Sequence, residues 1–148
     1  MTVDWLAFVN VTLYAMVASQ HAFYALGMEA AQRSLGAPAY VELRNALDTV
    51  LQRSLPVLYG ATLLVTLLSL AFGDARATAA LALAGLVGDA WFMLKDDVPI
   101  NERIRTWTPA DYPADWSTYR SAWLAAFRKR QLAIAAGFLS LVLGVATR

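Results

Sequence analysis

"SLPVLYGATLLVTLLSLAFG", residues 54–73, decides how the rest of the chain is read. It contains no Asp, Glu, Lys, Arg or His. As a helix it rises about 30 Å at 1.5 Å per residue, the thickness of a bilayer's hydrocarbon core. Three other runs share its character. Residues 5–28 carry no formal charge apart from His21, residues 77–94 carry only Asp89, and residues 131–147 carry none. The sequence therefore predicts an all-α fold: a bundle of four transmembrane helices forming one domain, residues 1–148, with a short cytoplasmic cap between helices three and four. A soluble four-helix domain of this size needs a polar face on every helix, and these runs carry almost no charge to form one. Composition agrees, with 59% hydrophobic and 16% charged residues against about 45–50% and about 25% in ordinary soluble domains.

The boundaries follow from caps and breakers. Helix one runs from the N-cap candidate Asp4 to near Ser34 and stops at Gly36-Ala37-Pro38. It lacks the basic n-region of a signal peptide and is expected to be retained. Residues 39–54 form an amphipathic stretch that lies at the interface or continues into helix two, with Pro56 a kink point. Helix two ends near Phe72, and Gly73-Asp74 makes a tight turn. Helix three covers about Arg76 to Lys95, with Ala80, Ala84 and Gly88 on one face for close helix approach. Helix four starts near Ser117 and runs to about Ala146.

Ten of the twelve Lys and Arg residues fall in the two connections after helices one and three; Arg76 and Arg148 are the exceptions. The positive-inside rule then places both long connections in the cytoplasm and both termini outside, in a plasma membrane of bacterial type. The absence of cysteine excludes disulfides and thiolate chemistry. A net charge of +1 with no basic stripe excludes nucleic acid as a partner. The expected partners are the lipid bilayer and an apolar small molecule.

Polar groups at membrane depth are the first candidates for chemistry. Asn10, Tyr14, Val17, His21, Tyr24 and Met28 recur at spacings of four and three, so they share one face of helix one. Their donors would be unpaired against lipid, so that face should turn inward. His21, the only histidine, suits a general base, a hydrogen-bond donor or an axial haem ligand. Asp89 can orient His21, pair with a cap arginine, or simply fix the bundle. In "VPINERIRTW", residues 98–107, Val98-Pro99 implies an extended approach, followed by one short helical turn carrying Arg103 and Arg105. Arg120, Trp123, Phe127 and Arg130 share one face of helix four, and such arginines can also serve lipid phosphates.

The elements "VPINERIRTW" and "DWSTYRSAW", with Arg130 seven residues after Trp123, resemble the anthrone-oxygenase-like family of small four-helix membrane proteins. That family shows a Pro-x-Asn element after its third helix, then a Trp and an Arg at the start of the fourth. Pro99, Asn101, Trp123 and Arg130 match these; the likeness covers the whole chain in helix order and loop sizes, and helix one matches in character only. The resemblance implies oxidation of a polyketide anthrone to an anthraquinone by O₂ without metal or flavin. On that expectation His21 is the base, Asp89 orients it, and Arg103 or Arg130 stabilises the developing oxyanion. Tyr14, Tyr24, Asn101, Trp123 and Arg120 would hold the substrate. Two rival readings stand beside it. One is a haem- or quinone-binding protein with Met28 or Met16 as a further ligand. The other is a scaffold or ligand carrier without catalysis.

Overall fold

A computed structural model of the chain describes residues 4–147; Arg148, counted above with the outer charges, lies outside them. The described residues are helical and contain no strand. Asp4 caps α1 (Trp5–Phe23) by accepting from the Ala7 N–H at 3.0 Å. The helix passes through one wide turn, Tyr24–Met28, into α2 (Glu29–Ser34). Gly36 then reverses the chain into α3 (Ala37–Phe72). A second reversal at Gly73 leads to α4 (Arg76–Phe92), which continues through a wide turn at Met93–Asp97 into α5 (Val98–Arg105). A loop with mutual Thr108–Asp111 backbone hydrogen bonds leads to α6 (Trp116–Ala146).

These elements make four antiparallel spans, each long and apolar enough to cross a membrane. Asp4, Ser69, Gly73, Thr78 and Gly144 line one small cavity, so one end of the bundle gathers both termini and the Gly73 reversal. The other end carries both remaining connections. At 36 residues, α3 is about 54 Å long, so roughly 24 Å of it projects beyond a 30 Å hydrocarbon core. The overhang is the cap. There Tyr40 and Val41 of α3 bury against Ile104 of α5 and Trp107, with Trp116 and Tyr119 of α6 packed on them. The amphipathic stretch 39–54 is therefore a continuation of α3 through Pro56 and not a separate interfacial helix.

The extended approach expected at Val98-Pro99 is not found. Val98 is helical, and its N–H donates to the Met93 carbonyl five residues back. Pro99 removes a helix N–H, and its ring crowds the carbonyl four residues earlier. The widened turn immediately before it accommodates both effects, so α4 and α5 form one continuous span.

Packing is tightest between α4 and α6. A side chain at Gly85 would approach the Ala133 carbonyl and the Tyr14 hydroxyl, each at 2.7 Å, and one at Gly137 would overlap that hydroxyl. Tyr14 lies wedged between the two helices and donates to the Ala82 carbonyl at 3.0 Å. The small residues that allow this are Ala82, Gly85 and Gly137, all buried. Ala80 and Ala84, expected to line the close contact, are exposed. The phase follows Asp89, because residues 82, 85 and 89 share a face that brings the carboxylate inward.

Candidate functional site

The polar face of helix one turns inward as its spacing predicts: Asn10, Tyr14, Val17 and His21 are all buried. Towards the end that holds the termini, Asn10 donates to Ser69 at 3.0 Å and accepts from Thr66 at 2.8 Å, which ties α1 to α3. Towards the cap, the interior holds a charged cluster. Arg130 of α6 donates to both oxygens of Asp89, at 2.8 and 3.3 Å, and to Asp97 at 2.7 Å. All three residues are buried.

Asp97 reaches Arg130 because of the wide turn. Eight residues of regular α-helix would set Asp97 about 80° round from Asp89. One extra residue in the turn makes the interval equivalent to seven, which returns the side chain to nearly the same face. Two carboxylates on one guanidinium leave the cluster with one negative charge more than positive. Such a cluster is stable at membrane depth only with all its hydrogen-bonding partners in place.

His21 adjoins the cluster. Its Nε2 hydrogen-bonds the Tyr59 hydroxyl at 2.9 Å and lies 3.8 Å from Asp89, within ion-pair range but beyond a hydrogen bond. Gln20 donates to the same hydroxyl at 3.4 Å, and Gln131 donates to the His21 carbonyl at 3.1 Å. When Tyr59 donates to Nε2, the ring's own proton sits on Nδ1. Phe127 stacks on the imidazole at 5.0 Å, Trp123 stacks on Phe127 at 4.9 Å, and the Arg44 guanidinium lies 4.1 Å over Trp123. A continuous column thus runs from a cap arginine to the histidine. Tyr24 leans on it, 5.2 Å from Trp123 and 4.6 Å from Phe127.

The interior beside His21 is therefore occupied by Phe127, Tyr59 and the Asp89–Arg130 pair and is not an enclosed hollow. α1 and α3 meet at Asn10–Thr66 and at His21–Tyr59, and α2 joins α3 again at Gly36. Between these points no residue from 22 to 31, and none from 45 to 61, is fully buried. Helices in continuous contact bury a residue every three or four positions. The seam between the two helices is therefore thinly packed at the level of the aromatic column, where Tyr24 and Tyr59 are half-buried.

The other expected site residues divide. Asn101 accepts from Arg44 at 2.6 Å and so supports the column's upper end. Arg120 donates to the carbonyls of Gln32 and Leu35, both at 3.1 Å, and closes the C-terminus of α2. Tyr14 belongs to the α4–α6 packing, and Arg103 is exposed on α5, outside the cluster. Arg44, Tyr59 and Asp97 join the site without a strong sequence signal. An iron at His21 would have to use Nδ1, because Tyr59 holds Nε2. Among the described residues, no three His, Asp or Glu side chains converge as for a metal ion. No family model, curated protein or solved structure matches the chain, so the likeness to the anthrone-oxygenase-like family rests on its motif residues alone.

Proposed function

We propose that the protein is a membrane-embedded enzyme acting on an apolar aromatic small molecule that reaches the bundle from the bilayer along the thinly packed seam between α1 and α3. The observation that carries this reading is the His21–Tyr59 hydrogen bond, backed by Asp89 and Arg130, on that seam. Tyr59 is only partly buried whereas His21 is enclosed. A substrate proton thus passes to the Tyr59 oxygen as the Tyr59 proton passes to His21 Nε2. Asp89 favours the imidazolium that forms, and Arg130 holds Asp89 in place. An aromatic substrate packs against the side of the Trp123–Phe127 column next to Tyr24, since its stacked faces are covered by His21 and Arg44.

With an anthrone, the base takes one proton from the ring CH₂ and leaves a carbanion delocalised over the aromatic system. The carbanion forms a C–O bond with O₂. The resulting peroxide regains a proton and loses water, so one O₂ is consumed and one water is released for each quinone carbonyl made. The charge count further supports a cytoplasmic cap in a plasma membrane of bacterial type.

The test is O₂ uptake and anthraquinone formation by the purified protein in lipid nanodiscs supplied with anthrone. Wild-type protein should accelerate both in equal amounts, and His21→Ala should lower the rate by roughly 10²–10⁴, the usual contribution of a positioned base. A rate equal to that of empty nanodiscs, or an undiminished rate in His21→Ala, would refute the reading.

A further inference from the structure

At the cap end of the aromatic column, several enclosed polar atoms have no hydrogen-bond partner. They are the hydroxyl of Tyr40, the Nε atoms of Arg44 and Arg120, the indole Nε1 of Trp123 and both ends of the Gln32 amide, with the Tyr24 hydroxyl facing only the Arg44 guanidinium. Tyr40, Arg44, Trp123 and Gln32 are each more than nine-tenths buried. They are neighbours. Arg44 lies 4.1 Å over Trp123, Tyr24 is 5.2 Å from the same indole, and Tyr40 sits one turn before Arg44 on the same buried face of α3. The Arg44 guanidinium is within electrostatic reach of both tyrosine hydroxyls.

Buried polar groups in folded proteins are nearly always paired. This chain obeys the rule at Asn10, Tyr14 and Ser140. Away from the cap, His21 Nδ1 and Asp97 Oδ1 also lack a partner. At the cap the unpaired atoms are mostly donors, because indole and guanidinium N–H groups only donate and phenols donate readily; the Gln32 amide oxygen is an unpaired acceptor there. Asn101 takes Arg44 Nη2 and leaves Nε unused. With Arg44 over Trp123 and Arg120 5.9 Å over Tyr40, the cradle is cationic and matches an anionic group.

We propose that Tyr24, Tyr40, Arg44 and Trp123 form a subsite for the carboxylate or phenolate end of an aromatic ligand whose ring system lies along Phe127 towards His21. The position of the rings rests on the function proposed above; the polar subsite is tested by binding alone. The probes are anthracene-2-carboxylate and 2-methylanthracene, which share a shape and differ in the anionic group. Binding to protein in phosphatidylcholine nanodiscs is read by fluorescence anisotropy, with partition into empty discs subtracted.

Wild-type protein should bind the carboxylate at least about tenfold tighter than the methyl compound, and Tyr40→Phe and Trp123→Phe should each cut the carboxylate affinity by about tenfold or more. Tyr40→Phe should not weaken 2-methylanthracene, and Tyr112→Phe, partly buried in the cap, should leave the preference between the probes unchanged. Tyr40→Phe should melt at the wild-type temperature or above it, because it removes an unpaired polar atom; a hidden structural hydrogen bond would lower it. Equal affinity for the two probes, or a preference that survives both Phe variants, overturns the proposal and leaves water as the partner of these donors. Carboxylate preference without anthrone turnover would sink the catalytic reading and uphold the subsite.

Discussion

Replacing Arg130 with Met removes the only cation hydrogen-bonded to the Asp89 and Asp97 carboxylates among the described residues and leaves both enclosed. The cost can be bounded from the chemistry of the acids. Holding one carboxyl group neutral at pH 7, against an ordinary value near 3.9, takes about 4 kcal/mol at 1.36 kcal/mol per pH unit. Two carboxylates close enough to share one guanidinium can share one proton, so a single protonation is the minimum. Protonating both sets an upper limit of about 8 kcal/mol. The lower figure agrees with the roughly 3–5 kcal/mol lost when one partner of a buried pair is deleted. Arg130→Met should therefore lower stability by about 4 kcal/mol at pH 7. The folded variant then holds a proton that its unfolded chain has released, so its stability rises as pH falls, and the penalty should shrink to about 1.5 kcal/mol at pH 5. Adding Asp89→Asn and Asp97→Asn to Arg130→Met should restore most of the loss. The assay is unfolding by dodecyl sulfate in mixed micelles, followed by tryptophan fluorescence and circular dichroism. A loss below about 1 kcal/mol at pH 7, or a penalty unchanged at pH 5, would refute the claim that these charges are enclosed and mutually dependent.

Gly137→Ala should destabilise the bundle by about 1–3 kcal/mol through overpacking against Tyr14, and Tyr14→Phe in the same chain should recover part of it, because the added Cβ meets the hydroxyl most closely and the ring Cζ, which Phe keeps, at 2.8 Å; fully additive losses in the same unfolding assay would contradict this. Asn10→Leu breaks two interhelical hydrogen bonds and should cost about 1–2 kcal/mol, in keeping with roughly 0.6 kcal/mol on average and about 1.7 at most for such bonds in membranes; an unchanged midpoint would count against the α1–α3 contact. Because the chain has no cysteine, single cysteines report sidedness directly. In intact cells a membrane-impermeant maleimide should label Arg76→Cys and leave Gln52→Cys unlabelled, and the opposite pattern would reverse the proposed orientation.

The four spans and the inward face of α1 were legible because each is a local periodic signal. Membrane length is read from the absence of charge, and the His21 face from spacings of three and four. Asp89 and Arg130 were also legible, being costly groups within or beside apolar runs. Asp97 was not. It sits in the run Lys95-Asp96-Asp97, which reads as a solvated end of a helix, and only the widened turn brings it onto the face of Asp89. Arg44 lies in the amphipathic stretch 39–54, where its charge reads as part of the solvated side. Its burial depends on Asn101 and Trp123, 57 and 79 positions later in the chain, which no local pattern encodes. The small-residue face of helix three was misplaced because Ala80-Ala84-Gly88 and Ala82-Gly85-Asp89 have equivalent helical spacing. The charge on Asp89 decides between them, since the face that carries it must turn away from lipid. The continuous helix through Pro99 escaped sequence reading for a related reason: a proline that would break a regular helix is tolerated behind a widened turn.

The pairing of His21 with Tyr59 beside Asp89 is what the account most depends on, and the chain's single histidine makes it directly measurable. Protein labelled with ¹⁵N-histidine and reconstituted in nanodiscs gives the nitrogen resonances of one imidazole. The account predicts a hydrogen-bonded Nε2 signal that moves on Tyr59→Phe, moves again on Asp89→Asn, and stays put on Arg103→Gln. A signal at the position of a freely hydrated imidazole, indifferent to Tyr59→Phe and Asp89→Asn, would contradict it.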